Sequence, residues 1–405
     1  MCTRLLADMG AEVIKIESLK HIDPWRGPVS RERAELGFPN RPRSDTPYDC
    51  SPGFNLENRN KYGITLDLQA PEAKAILKRL VKISDVLVEN YSPRVMPKLG
   101  LDYPVLKEVN EKLIFMSLPA LGGSGPDRDY LAFGQTIDCM SGMSYLTGYL
   151  GEEPMLESGL SYGDPLSGMN AAFAVVSALL HRQKTGKGMH IDLSQVEGLI
   201  AFNADSILDY TMNGRIRERI GNRDRVMAPH GTYRCKGEDQ WVSIAIRSDD
   251  DWTNFCRAIG EPEWTKDSRF AGYLGRYDNQ DELDKLITAW ALQHGHYEAM
   301  RILQAAGVPA GAALDAKELI EEPHLNAHGI WESVPHPVAG AQPEIGPFAL
   351  FSKTPLHIRT PAPCLGEHNE FVFGNLLGMS KEEIADLEKT GITGRKPSAE
   401  QQGSM

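Results

Sequence analysis

Cysteine is scarce and unpatterned in this chain: Cys2, Cys50, Cys139, Cys235, Cys256 and Cys364 form no C-x-x-C pair and no regular framework across 405 residues. That spacing excludes a disulfide-stapled scaffold and a cysteine zinc ribbon, and suits free thiols in a reducing cytoplasm. Long hydrophobic runs are missing too. The longest, Ala171 to Leu180, is too short to cross a bilayer, and Met1 to Lys20 hold no apolar core with a cleavage site behind it. The expectation is a soluble, unexported, cytoplasmic protein. An excess of positive charge is also lacking: the formal net charge is -12, which argues against nucleic acid or membrane as a partner. The glycine cluster Gly122-Gly123-Ser124-Gly125-Pro126 has neither Walker nor dinucleotide spacing, and predicts a turn where backbone must approach closely.

What is present is an alternation of short elements. The length suits two domains. Leu5, Leu6 and Met9 have helical spacing, and Ala11 to Glu17 alternates as a strand does. A long irregular loop follows, from His21 to Gly53, with Arg26, Arg31, Arg33, Arg41 and Arg43 as solvated charge or as phosphate contacts. Strands are expected at Ile64 to Leu68, Asp85 to Glu89, Leu113 to Leu118 and Met189 to Leu193. Helices are expected at Pro71 to Ile83, Val105 to Asn110 and Gln195 to Asn213. This order predicts an α/β fold with a doubly wound, Rossmann-like large domain over 1–200. A linker at 201–221, a smaller α+β domain at 222–322 with a hairpin in Tyr233 to Ile246, and a segment at 323–405 returning to the large domain complete the expected organisation.

The stretch with the most chemistry is Ser161-Tyr162-Gly163-Asp164-Pro165, ahead of the apolar run that begins at Ala171. Aspartate followed by proline predicts a helix start with Asp164 at the cap and Pro165 at the first helical position. A carboxylate there is either a cap or a nucleophile. Gly159-Leu160-Ser161-Tyr162-Gly163 also matches the G-x-S-x-G elbow of serine hydrolases. An elbow needs a buried strand directly before it, which residues 151–158 do not provide, and Pro165 sets the helix start too late. His324 and His328, or His294 and His296, are close in sequence, but no His-Glu-x-x-His pattern accompanies them, so no metal is expected.

Several segments taken in order resemble the class III CoA-transferases, a family that includes formyl-CoA:oxalate and carnitine CoA-transferases and α-methylacyl-CoA racemase. They are Leu6 to Glu17, Asn60-Lys61 with Leu66-Asp67-Leu68, Val88 to Tyr91, Gly163-Asp164, Arg182 to Gly188, Ala305 to Pro309 and Leu365 to Asn369. The resemblance implies a CoA-transferase with coenzyme A as substrate, no tightly bound cofactor, and an interlocked homodimer. It aligns Asp164 with the catalytic aspartate, which passes through a mixed anhydride and an aspartyl-CoA thioester. For coenzyme A it implies contacts from Arg26, Leu66, Gln69, Asn90, Tyr91, Lys98 and Leu99, with Gln69 where the family usually has lysine. Asp138 falls where transferases carry Gln or Glu, which implies an active-site polar role. The racemase branch carries a histidine where Phe133 stands here, which ranks racemase below transferase. A glycine-rich flap of some members is replaced by Gly221-Asn222-Arg223 to Pro229-His230-Gly231. The strand and Ala-Gly-Pro turn that members usually carry before Cys2-Thr3-Arg4 are not in this sequence. That difference implies a third reading, a non-catalytic partner subunit.

Overall fold

The computed structural model describes residues 1–29, 44–154 and 161–398. Two compact units divide the chain: Met1–Met143, Glu157–Asp205 and Asn326–Met405 form one, Ser144–Leu156 and Ser206–Leu325 the other.

The first unit is α/β. Helix α1 (Cys2–Asp8) leads to β1 (Val13–Glu17), which pairs in parallel with β2 (Lys61–Thr65). β2 starts three residues before the apolar run that predicted it, because polar partners bring Lys61 to Gly63 into the sheet. Lys61 Nζ donates to Asn58 Oδ1 at 3.0 Å, and the Gly63 N–H donates to His368 Nδ1 at 3.2 Å. Helix α2 (Pro71–Ile83) has the predicted bounds, with Pro71 in its first turn and Ala73, Ile76, Leu77 and Leu80 buried on one face. Each large aliphatic side chain on that face contributes roughly 1.5–3 kcal/mol by leaving water. Strands β3 (Val86–Glu89), β4 (Ile114–Ser117) and β5 (Met189–Asp192) pair in parallel in that order. β4 is buried at all four positions, as befits the middle strand of a sheet covered on both faces. The register sets Glu89, Ser117 and Asp192 level, so the chain leaves all three strands at one edge.

Helices α3 (Gly134–Met140) and α4 (Gly163–Thr185) follow the β4 edge. The helix expected over Gln195 to Asn213 is two, α5 (Gln195–Phe202) and α6 (Ala204–Asn213). The break is at Asn203, whose Nδ2 donates to the Ser141 carbonyl at 3.1 Å.

Residues beyond Asn326 belong with the β1–β2 side of the first unit. Thr65 N–H donates to Asn369 Oδ1 at 2.9 Å, and Thr393 Oγ1 donates to the Thr65 carbonyl at 2.7 Å. Val372, Phe373, Ile384 and Leu387 share a core with Ile64, Leu66, Leu77 and Phe115. The helix Lys381–Lys389 has the expected capping box, Ser380 Oγ accepting from Glu383 N–H and Glu383 Oε2 from Ser380 N–H.

The second unit is α+β. The expected hairpin forms as β6 (His230–Arg234) and β7 (Trp241–Ala245), with β8 (Ala310–Ala312) antiparallel to β7. Its core joins Val242 and Ile244 of β7 to Phe255, Leu283, Ile287 and Leu303 of the packed helices.

Candidate active site

Helix α4 does not start where its sequence suggests. Its first residue is Gly163, Tyr162 stands at the cap, and Asp164 makes no capping bond. Capping comes from α3: Asp138 Oδ1 accepts the Gly163 N–H at 2.9 Å, and Oδ2 accepts the Tyr162 N–H at 3.2 Å. The first four N–H groups of a helix have no partner within it. Here two go to Asp138 and Pro165 has none, so the Asp164 N–H remains. Pro165 fits as the third residue because its missing donor is not needed in the first turn. The expectation that Asp164 is the cap is therefore corrected: a buried aspartate from another helix fills that role and leaves the Asp164 carboxylate exposed, without a side-chain hydrogen bond among the described residues.

Close approach shapes this corner. A Cβ built on Gly134 would lie 1.8 Å from Ser161 Oγ and 2.8 Å from Asp164 Oδ2, so any larger residue at the start of α3 would displace one of these side chains. A Cβ on Gly163 would lie 2.7 Å from Ile137 Cγ2. The Asp164 pKa is raised from the ordinary carboxylate value, first by desolvation from the crowding chain and then by the Asp138 charge.

Ser161 precedes α4 by two residues, and residues 151–154 ahead of it are turn rather than strand. Gly159 and Leu160 of the elbow pattern lie outside the described residues, as do Arg31, Arg33, Arg41 and Arg43. Among the described residues, no group of three or more His, Cys, Asp or Glu side chains is placed to hold a metal ion, and no helix is long and apolar enough to cross a membrane.

Arg26, Leu66 and Gln69 gather beyond the carboxyl ends of β1 and β2. Arg26 is fully buried: its Nε and Nη2 fork onto both Glu17 oxygens at 2.8 Å, Nη1 reaches Asp49 Oδ1 at 2.8 Å, and the guanidinium lies 3.7 Å from the Phe54 ring centre. That is the geometry of an anchor for the loop. Leu66 is a core residue whose N–H donates to the Glu17 carbonyl, and Gln69 is exposed.

Asn90, Tyr91, Lys98 and Leu99 form a second group, past the end of β3. Asn90 is exposed and its Oδ1 accepts from Gln195 Nε2 at 2.9 Å. The Tyr91 N–H donates to Glu89 Oε2 at 2.8 Å, while its ring is half exposed. Lys98 is exposed and has no ion-pair partner among the described residues; Leu99 packs on the core. The described hydrogen bonds tie Asp138 to the Asp164 helix and Asn90 to Gln195, and none runs from either pair to the Arg26 group. Sequence reasoning passed over Gly134 and Gln195. Gln195 was signalled only by its place directly after a strand end. The glycine cluster makes the expected close approach: the Gly123 N–H donates to the Asp192 carboxylate at 2.8 Å, and a Cβ there would lie 2.8 Å from Asp192 Oδ2.

Comparison with known proteins gives the family. The chain is 34% identical over 387 residues to the succinyl-CoA–D-citramalate CoA-transferase of Chloroflexus aurantiacus, covering 96% of this chain and 92% of the relative. It is 30% identical to the formyl-CoA:oxalate CoA-transferase of Bradyrhizobium diazoefficiens, covering 96% and 92%. The crystal structure of a CAIB/BAIF family protein from Brucella suis superposes with a TM-score of 0.80 at 29% identity, covering 92% of this chain and 94% of that one. The pattern that defines CoA-transferase family III matches residues 1–369, and the chain belongs to that family.

Proposed function

We propose that the chain moves coenzyme A from an acyl-CoA thioester to a free carboxylic acid, with Asp164 as nucleophile. The observation that carries this reading is the division of labour between two aspartates: Asp138 caps the helix, and Asp164 stays exposed and unbonded at its start. An Asp164 oxygen attacks the thioester carbon, the C–S bond breaks, and the CoA thiolate leaves a mixed anhydride. The thiolate attacks the Asp164 carbonyl, releases the donor acid and forms the aspartyl-CoA thioester. The acceptor carboxylate reverses both steps and regenerates Asp164. The Asp164 N–H and the positive end of α4 favour the negative charge that develops.

Arg26 and Leu66 support this reading as framework for the loop that coenzyme A meets, and Asn90, Tyr91 and Lys98 as its exposed contacts. Gln69 and Leu99 complete the two groups. The named relatives transfer CoA to D-citramalate and from formyl-CoA to oxalate, which puts short dicarboxylic acids first among acceptors to try. An exposed apolar stripe on α4, Met169, Phe173, Val176 and Leu180, favours a homodimer, and six cysteines without a regular framework suit the cytoplasm. Racemisation is the second reading. Against it stands the absence of any histidine from 22 to 180, including position 133, where Phe133 adjoins Gly134. Replacing Asp164 by Asn tests the proposal: transfer is lost while the fold stays. Exchange of the donor's α-hydrogen in deuterated water without transfer would favour the racemase.

A further inference from the structure

We infer that Gln195 is a positioning residue for the coenzyme A subsite: it fixes which end of the Asn90 amide faces outward, so that this edge of the sheet offers a hydrogen-bond donor to an acceptor on the nucleotide part of the ligand. The inference rests on the coenzyme A reading above.

It follows from donor and acceptor chemistry. Gln195 is buried at the start of α5, and Ser194 caps that helix by accepting the Glu197 N–H. Gln195 Nε2 lies 2.7 Å from the Leu118 carbonyl oxygen and 2.9 Å from Asn90 Oδ1. A carbonyl only accepts, so the Gln195 atom facing Leu118 must be its NH2 group. That group has a second hydrogen, directed at Asn90, which must answer with its oxygen. The Asn90 NH2 is then turned away from Gln195, and no acceptor among the described residues takes its hydrogens. A flipped Asn90 would set two NH2 groups against each other.

The surroundings match an electron-rich ligand. Leu118 N–H holds the Glu89 carbonyl at 3.0 Å, and the Glu89 carboxylate is engaged by the Tyr91 N–H, so the backbone on both sides of Asn90 is fixed. Next to Asn90, Tyr91 supplies an exposed aromatic ring, and the short helix Val95–Leu99 that follows carries Lys98, exposed and without an ion-pair partner among the described residues. Cation and ring suit a phosphorylated nucleotide, and of the three only the donor has a counterpart on a pantetheine arm, in its amide carbonyls.

The test is calorimetric titration of the full chain with CoA and with pantetheine, on wild type, Gln195→Met and Asn90→Asp. Gln195→Met frees Asn90 to rotate and is expected to weaken CoA roughly three- to tenfold while leaving pantetheine unchanged. Asn90→Asp keeps the acceptor for Gln195 but replaces the outward donor with an oxygen, and is expected to weaken CoA further. Wild-type affinity for CoA in Gln195→Met, or equal weakening of both ligands, overturns the inference alone. If Gln195→Met melts early, Asn90→Asp decides, and unchanged CoA binding there overturns it. A wild-type chain that binds no CoA overturns the coenzyme A reading and this inference together.

Discussion

Asp138 Oδ1 accepts the Gly163 N–H at 2.9 Å, immediately before Asp164 in the chain. One carboxylate thus satisfies the helix start and, by its charge, raises the pKa of the other. Asp138→Asn keeps an acceptor but removes the charge, so the Asp164 pKa falls. The acid limb of the kcat/KM profile should move to lower pH. Asp138→Ala also removes the cap and should cost about 0.5–2 kcal/mol by denaturant titration. An acid limb that stays in place in Asp138→Asn contradicts the coupling.

Gly134 marks the closest approach to the carboxylate. In Gly134→Ala the new methyl group meets Ser161 Oγ and Asp164 Oδ2, so one of them must shift. Misplacement of a reacting group by about 1 Å costs on the order of 10²-fold in rate. The variant should melt near the wild-type temperature and lose activity on that scale, as steady-state kinetics and a thermal melt together would show.

Arg26 is expected to matter first for stability. Arg26→Ala leaves Glu17 and Asp49 buried without their cation, a loss of about 3–5 kcal/mol. Lysine has no fork with which to bridge Glu17 and Asp49, so Arg26→Lys should recover only part of it. Denaturant unfolding of both variants checks this. A wild-type midpoint with weakened CoA binding would instead make Arg26 a direct ligand contact.

Phe173 is 77% exposed in the middle of the α4 stripe. If that stripe is covered by a second copy, Phe173→Glu should shift the chain towards monomer in light scattering at micromolar concentration. Wild-type protein that is already monomeric contradicts the homodimer.

The sequence made the regular elements visible because their burial is periodic: α2 and β3 to β5 lie where apolar spacing put them. It also made Asp164 visible as a residue at a helix start. It did not show which residue caps that helix, since Asp138 is 25 positions from Gly163 and acts across the fold. Motif residues carried further than their chemistry in the same way. Asn60 ties three segments together, Oδ1 accepting from the Arg359 and Thr360 N–H groups and Nδ2 donating to Asp8 Oδ1. Its φ of 60°, in the left-handed region that asparagine tolerates, is a framework feature. Arg26 looked like a phosphate ligand because an arginine in a loop is usually solvated, and its burial depends on Glu17, Asp49 and Phe54 meeting in space.

The most direct measurement is to trap the covalent intermediate. The chain is incubated with succinyl-CoA, quenched with hydroxylamine, digested and read by mass spectrometry. The account predicts a hydroxamate on Asp164, absent in Asp164→Asn. A succinyl ester on Ser161 in a parallel sample quenched with acid instead of hydroxylamine, or transfer at the wild-type rate by Asp164→Asn, would contradict it.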